Sequence, residues 1–489
     1  MEDNKVIIKL KKEPLKSERE EMKQEKKKKI FIVLTCVLLF VLGFFVGGGV
    51  AYAIKGSSDV SSYSKLDEIK SYLKTKWLYR EDYDDLDTTL SDKAYYGMTT
   101  FEDDPYTTYM SSEEMSDYAN DINMNYVGIG VQYNSYNYTI LRVFKDSPAE
   151  AVGLKAGDVI EKVDGEDISG KTNDEIKSMV QGVEGTTVSI TVLRDNKEET
   201  FDLTRGNVDT TVYAYKYDNT LVLEIMSFGS NTGNECIKYL DEYKDEDRLI
   251  IDLRNNTGGY ETAVQEVAGI FLGKDKIVMH KVYSDNNIDT DYTISNAYYD
   301  NFKNIVILTN GSTASASEVL TMALKEGHDN VTVVGEKTYG KGVMQSSYYL
   351  NDGSALKVTI AYWTSPDNNS INKTGISPDV EVKLHDVLYE TVTTMEEGTT
   401  IKVDEVSSYV KTMQLMLDYL DYDVDRTDGY FSEKTLETLN NFRNKNGLSE
   451  SDVLDEETYR LLYSNVISLY RTDSSKDSQL VKAVEIVNE

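Results

Sequence analysis

Residues 30–54 (IFIVLTCVLLFVLGFFVGGGVAYAI) contain no charged side chain, whereas the 29 residues before them are dominated by charge and end in Lys26-Lys27-Lys28-Lys29. Twenty-five apolar residues are enough to cross a bilayer with some tilt, since about 20 suffice. The four lysines predict a cytoplasmic N-terminus. Ala51-Tyr52-Ala53 looks like a signal-peptidase site, but the run exceeds a signal h-region of about 7–15 residues, so an uncleaved anchor is expected. Residues 56–63 (GSSDVSSY) then read as a polar linker.

Beyond the linker the pattern changes several times. Over residues 64–120, Leu66, Ile69, Tyr72 and Leu73 share one helical face, and Asp104-Pro105-Tyr106 breaks the periodicity. Between 126 and 206 short apolar runs predict strands (Tyr126–Val131, interrupted by glycine, Ile140–Val143 and Val188–Leu193) and a helix at Asn173–Val180. From 207 to 400, strand-like runs at Leu221–Met226, Leu249–Leu253, Ile305–Leu308 and Val331–Val334 alternate with helical segments such as Ala263–Leu272. That alternation predicts an α/β domain. Residues 404–468 carry three amphipathic helices, around Val410/Met413/Leu417, Leu436/Leu439/Phe442 and Thr458/Leu461/Leu462. Residues 471–489 read as a polar tail without an assigned role.

Candidate chemistry concentrates at 305–345. After Asn310-Gly311 come Ser312, Thr313, Ser315 and Ser317, at the start of a helix whose apolar face holds Val319, Leu320, Ala323 and Leu324. Ser315-Ala316-Ser317-Glu318 fits a helix capping box, the ordinary role of such a serine. A helix start is also where an alkoxide and a tetrahedral oxyanion are best stabilised. The three histidines, His280, His328 and His385, have no motif-like setting, which disfavours a Ser-His-Asp triad. A lysine serves as base if burial or a neighbouring cation keeps it neutral. Lys341 follows a buried strand between Gly340 and Gly342, and Lys337 is a less constrained competitor. If 342–349 continue as a strand, Lys341, Val343 and Gln345 share a face, and Gln345 could hold the amine. Gly258 and Gly259, at the strand-to-helix turn of DLRNNTGG, could present amides to an oxyanion or simply make the turn.

Charge and cysteine content narrow the function class. The chain has 489 residues, about three domains' worth, and a net charge of −32. Its first 29 residues carry +4 and the rest −36, which argues against nucleic acid as a partner. Two cysteines, Cys36 and Cys236, form no disulfide framework. No cofactor or metal is called for.

The stretch 126–206, with Ser147-Pro148-Ala149-Glu150 running on through Gly153-Leu154 to Gly157-Asp158-Val159-Ile160, resembles a PDZ domain. The resemblance implies that backbone amides of Gly128, Ile129 and Gly130 capture a peptide carboxylate. In order, DDPYTTYM, DLRNNTGG, NGSTASASEVL, VVGEKTYGKGVMQ, DGSALKVTIAYWTSP and GISPDV resemble the carboxyl-terminal processing peptidases, over roughly residues 64–385. The family implies an α/β fold with a crotonase/Clp-protease-like ββα core, here with an inserted PDZ domain, an N-terminal transmembrane helix and a C-terminal three-helix domain. It also implies a Ser–Lys endopeptidase: Ser315 as nucleophile, Lys341 as general base, Gln345 supporting the lysine, and the amides of Ala316 and Gly258 as oxyanion donors. Thr257 stands where the family usually has proline, and the Ser315–Lys341 interval is one residue longer than expected. Residues 404–468 resemble a peptidoglycan-binding domain.

The expected division is a cytoplasmic tail (1–29), an anchor (30–54), an N-terminal helical segment (64–120), a PDZ domain (121–206), a protease core (207–400) and a peptidoglycan-binding-like domain (404–468). The expected protein is a single-pass, extracytoplasmic endopeptidase acting on proteins with accessible C-termini. Further partner classes are the membrane, peptidoglycan and a second copy of the chain. Rival readings are an inactive PDZ and wall-binding scaffold and a hydrolase of peptidoglycan peptides. The intact Ser315, Lys341 and Gln345 set argues against the scaffold.

Overall fold

The computed structural model describes residues 62–135, 137–195, 197–295, 297–391, 395–396 and 398–489. The expected cytoplasmic tail and the anchor at 30–54 lie outside the described residues. Among those described, no helix is long and apolar enough to cross a membrane. The chain divides into two units after Gly97. In the first, α1 (Ser62–Lys76) is the predicted amphipathic helix, although Ile69 and Tyr72 on its apolar face are exposed. Helix α2 spans Leu86–Met98.

In the second unit, β1 (Thr108–Met110) and α3 (Ser112–Asn123) lead into a small β-rich body. Its strands are β2 (Tyr126–Gly128), β3 (Val131–Tyr133), β4 (Ile140–Val143), β5 (Val159–Val163), β6 (Glu166–Asp167), β7 (Thr187–Arg194), β8 (Lys197–Thr204) and β9 (Gly206–Val208). Helices α4 (Pro148–Val152) and α5 (Asn173–Val180) pack on them. The glycine-interrupted run at 126–131 becomes two strands because Gly130 adopts φ +76.

The α/β body is built on β10 (Val212–Tyr217), β11 (Thr220–Ile225), β12 (Arg248–Asp252), β13 (Ile277–Tyr283), β14 (Ile288–Tyr292), β15 (Asn304–Thr309), β16 (Val331–Gly335), β17 (Val343–Tyr349), β18 (Ala355–Thr364) and β19 (Val380–Glu381). One sheet has the order β10-β11-β12-β15-β16-β19, parallel apart from the antiparallel edge strand β10. The other joins β1, β18, β13 and β14 in that order, and β17 also pairs with β18. Strand period decides which side of the first sheet each residue serves. Leu221, Leu223, Leu249, Ile251, Ile305 and Ile307 are buried in the core with α6 (Thr232–Glu242), α7 (Glu261–Leu272) and α8 (Ala316–Gly327). Val222, Ile250, Val306, Leu308 and Val334 form a second core on the opposite face. With both faces covered, these strands read as continuous apolar runs.

The C-terminal body pairs β20 (Thr400–Lys402) with β21 (Val453–Asp455) and gathers α9 (Ser408–Tyr419), α10 (Glu433–Lys445) and α11 (Glu456–Thr472) around Met413, Leu417, Phe431, Leu439 and Phe442. Residues 471–489 are not a solvated tail. Helix α11 runs to Thr472, and α12 (Ser478–Val487) buries Leu480, Ala483, Val484 and Val487 in the second sheet face. Four apolar residues at i, i+3, i+4 and i+7 make that stripe.

The small β-rich body is docked onto both neighbours. Arg142 pairs with Glu224 at 2.6 Å, and Lys145–Glu242 and Lys238–Asp146 form two reciprocal ion pairs. Asn134 Nδ2 donates to the Ser464 carbonyl of α11 at 3.0 Å.

Candidate active site

The loop after β15 and the first turn of α8 position four hydroxyls, and two of them are held by hydrogen bonds of their own. Thr313, fully buried, donates to the Leu253 carbonyl at 2.9 Å, and Ser317, equally buried, donates to the Asn256 carbonyl at 3.0 Å. Ser312 is exposed, and its backbone N–H closes a turn on Asn310. The half-buried Ser315, like Ser312, has a hydroxyl that donates to no described residue, and it alone of the four has a left-handed backbone, at φ 55, ψ −117. That is a conformation a non-glycine residue adopts only where the surroundings enforce it. Ser315 is the N-cap residue of α8, and the N–H of the next residue, Ala316, donates to no described residue at the helix start.

The enforcing group is Glu318, fully buried three residues on. Its Oε2 accepts the backbone N–H of Ser315 at 2.9 Å and that of Lys341 at 2.9 Å. Its Oε1 accepts the Gly340 N–H at 2.7 Å and the Thr338 hydroxyl. A buried carboxylate is tolerable only with its lone pairs filled, and here four donors fill them. One carboxylate thus ties the hydroxyl loop to the glycine-flanked lysine. Sequence reasoning assigned Glu318 a capping role only, because its other partners lie about twenty residues downstream.

Lys341 lies at the mouth of β17, and its carbonyl accepts the Trp363 indole N–H at 2.8 Å. Its amine rests 4.7 Å from the centroid of the Tyr106 ring. Burial, and secondarily the nearby ammonium of Lys357, push its pKa down to about 8, against the opposing pull of Glu318. No hydrogen bond joins the Ser315 hydroxyl to the Lys341 amine. Lys337 is exposed.

Gln345 departs from the expected geometry. The β17–β18 register shifts between Met344 and Gln345 because β18 carries an extra residue, Ile360, opposite them, and Gln345 bonds a threonine of that strand rather than the Lys341 amine. Its Nε2 donates to Thr359 Oγ1 at 3.2 Å, and that hydroxyl donates to Asp104 at 2.9 Å. The DDPYTTYM stretch thereby reaches the site twice, through Asp104 and Tyr106, which the sequence marked only as a break in periodicity and part of a family motif.

The double-glycine turn lies against the hydroxyl loop. A Cβ on Gly258 would fall 2.9 Å from Ser315 Cβ and 3.1 Å from the Ala316 nitrogen, and φ is +115. The Gly258 N–H, expected as an oxyanion donor, instead donates to Asn256 Oδ1 at 2.8 Å. The Gly259 N–H, one residue on, donates to no described residue. Asn256 is fully buried, and its carbonyl also accepts the Ala314 N–H at 3.0 Å, which locks the two loops together. Thr257 is exposed and leaves both glycines in place.

The histidines play no part. His280 bonds Thr290 and the Pro366 carbonyl, His385 pairs with Asp418, and His328 accepts the Asn330 N–H. Cys236 is buried and free. No His, Cys, Asp or Glu cluster among the described residues could hold a metal.

A separate cleft of about 580 Å³ is lined by Tyr126, Gly128, Ile129, Gly130, Lys177 and Val180, between β3 and α5. The amides of Ile129 and Gly130 donate to no described residue. Gly128 pairs with Gly206 at the strand edge.

With this geometry in hand, comparison with known proteins gives three domain matches: peptidase family S41 at residues 219–382, a PDZ domain at 125–204 and a peptidoglycan binding domain at 407–462. Over 440 residues the chain is 33% identical to the "Probable CtpA-like serine protease" of Staphylococcus haemolyticus, covering 88% of this chain and 87% of that protein. It is 30% identical over 481 residues to the "Carboxy-terminal processing protease CtpA" of Bacillus subtilis, covering 95% of this chain and 99% of that one. Among solved structures, the photosystem II D1 C-terminal processing protease matches at 27% identity and a TM-score of 0.37, over 66% of this chain and 87% of that one.

Proposed function

Because the chain belongs to the carboxy-terminal processing proteases of peptidase family S41 and is a serine-type peptidase with a PDZ domain, we propose that Ser315 and Lys341 form its catalytic dyad. The observation that carries this reading is the shared Glu318 oxygen, which holds the Ser315 and Lys341 nitrogens at 2.9 Å each. Two loops otherwise distant in sequence are thereby built around a serine with an idle hydroxyl and a lysine whose pKa is lowered. In the reaction the amine leaves Tyr106, turns toward Ser315 and takes the hydroxyl proton. The serine oxygen attacks the peptide carbonyl, and Ala316 N–H with an amide of the 258–259 turn receives the oxyanion. Lysine returns the proton to the leaving amine, and water hydrolyses the acyl-enzyme. Gln345 steadies the amine in its working position.

The substrate is a protein whose free C-terminus adds as a strand beside β3, its carboxylate held by the Gly128–Gly130 loop. Residues 30–54 anchor the enzyme in the membrane with its catalytic part outside, and the C-terminal domain holds it to peptidoglycan. The deciding experiment is cleavage of an unstructured, casein-like protein and of purified wall by the wild type, Ser315→Ala and Lys341→Ala. Both variants should fold and cleave neither substrate, and the wild type should cleave the protein only. Full activity in either variant overturns the dyad, and release of wall peptides makes peptidoglycan the substrate.

A further inference from the structure

Arg254 lies in the stretch that ends at the double glycine against Ser315, yet its guanidinium is held by residues of the C-terminal helix. Asp252 accepts from Nε at 3.0 Å and from Nη2 at 2.6 Å. Asp477 accepts from Nη1 at 2.9 Å and lies 2.8 Å from Nη2, and Gln479 Oε1 accepts from Nη1 at 3.1 Å. The side chains of Arg254, Asp252 and Asp477 are only 8%, 7% and 7% exposed. The two helix residues are themselves fixed. Asp477 caps α12 by accepting the Leu480 N–H at 3.0 Å, and Gln479 donates to the Val382 carbonyl at 2.8 Å. The backbone directly after Arg254 is the working part of the turn: the Asn256 carbonyl accepts from Ala314 and Ser317, and Gly258 packs on Ser315.

We propose that Asp477 and Gln479 are positioning residues for peptide cleavage, acting through Arg254 on the turn that flanks Ser315. The first turn of α12 is then part of the catalytic apparatus although it touches no substrate. This inference rests on the reading of Ser315 as nucleophile. Two carboxylates face one guanidinium here, so removing the charge of Asp477 leaves a neutral Asp252–Arg254 pair rather than an orphaned buried cation, and folding survives.

The test uses the full chain with a peptide substrate bearing a free C-terminus. Asp477→Asn and Gln479→Ala should lower kcat about 10- to 100-fold, the effect expected of a small misplacement of catalytic groups. KM and the binding of a C-terminal peptide to the PDZ cleft should stay within about twofold, because binding that precedes the chemistry is untouched. Asp477→Glu should recover part of kcat. Val484→Ala, which loosens the apolar side of the same helix, should lower the melting temperature and leave kcat of the folded enzyme intact. Wild-type kcat in both polar variants, or a loss no greater than that of Val484→Ala at equal stability, overturns the inference. If Ser315→Ala still cleaves, the serine reading itself has failed. If Ser315→Ala is inactive while Asp477→Asn is fully active, only the positioning role has failed.

Discussion

The Glu318 carboxylate and the Lys341 backbone nitrogen lie 2.9 Å apart, and the oxygen they share also holds the nitrogen of Ser315. Replacing Glu318 with Gln keeps the shape but turns one oxygen into an amide that faces donors. We expect kcat/KM to fall about 100-fold, in the range for loss of a preorganised polar group, and stability to drop by about 1–3 kcal/mol for the unsatisfied buried donors. Because Glu318 pulls the Lys341 pKa upward, the residual activity should show its acid limb at lower pH. Steady-state kinetics with thermal melting checks both, and wild-type values in both would remove Glu318 from the site.

Lys341 must be neutral to take a proton, and its pKa sits near 8. With Lys341 as the proposed base, activity should climb as pH rises toward 8 and level off above it, with about a tenth of the enzyme competent at pH 7. Lys357 helps hold that value down, so Lys357→Met should move the limb to higher pH. A pH–rate profile that is flat from 6 to 9 would rule out a titrating lysine base.

The same lysine costs stability. Its pKa is near 8 in the fold against an ordinary 10.5, so folding disfavours its protonated form. The penalty is complete below about 8 and disappears as pH rises through 10.5. The gap is worth about 3 kcal/mol, less about 1 for the ring contact with Tyr106. Lys341→Met should thus be inactive and more stable than wild type at pH 7 by about 2 kcal/mol, an advantage that vanishes above pH 10.5. Equal denaturant midpoints at pH 7 would show that the lysine is not penalised.

Gly130 has φ +76, and a Cβ there would fall 2.2 Å from Ser147 Cβ. Gly130→Ala should distort the amides lining the cleft and weaken binding of a peptide with a free C-terminus at least tenfold. Cleavage of a short substrate that bypasses the cleft should persist. Isothermal titration with the free-acid and amidated forms of one peptide measures the first effect, and unchanged affinity would place carboxylate capture elsewhere.

What could be read from the chain follows from how local each signal is. The strands around Ile305–Leu308 and Val331–Val334 and the helix at 263–272 declare themselves by dense apolar runs, because both faces of the sheet are covered. The β18 bulge opposite Met344/Gln345 has no such signature, so strand period alone does not show that Gln345 bonds Thr359. Glu318, Asp104 and Arg254 act through partners 23 to 255 residues away, and each looks like an ordinary cap, turn or surface residue in sequence. The stripe Leu480, Ala483, Val484 and Val487 was missed, because within a short segment read as a polar tail four spaced apolar residues do not reveal the sheet face they cover.

The ion pairs Lys145–Glu242 and Lys238–Asp146, which dock the PDZ domain on α6, are partly exposed, whereas Glu318 and Arg254 make their contacts in the interior. Dissolved ions screen the first kind of contact and scarcely reach the second, the screening length being about 8 Å at 0.15 M and 3 Å at 1 M. Ionic strength is therefore a dial that addresses the two halves of the enzyme separately. Concentrated salt should loosen this part of the peptide-capturing domain's hold on the core, while the largely buried Arg142–Glu224 pair and the cleavage machinery stay assembled. For a protein whose charge is −32, the counterions crowding its surface become part of the setting that decides how firmly that domain is held.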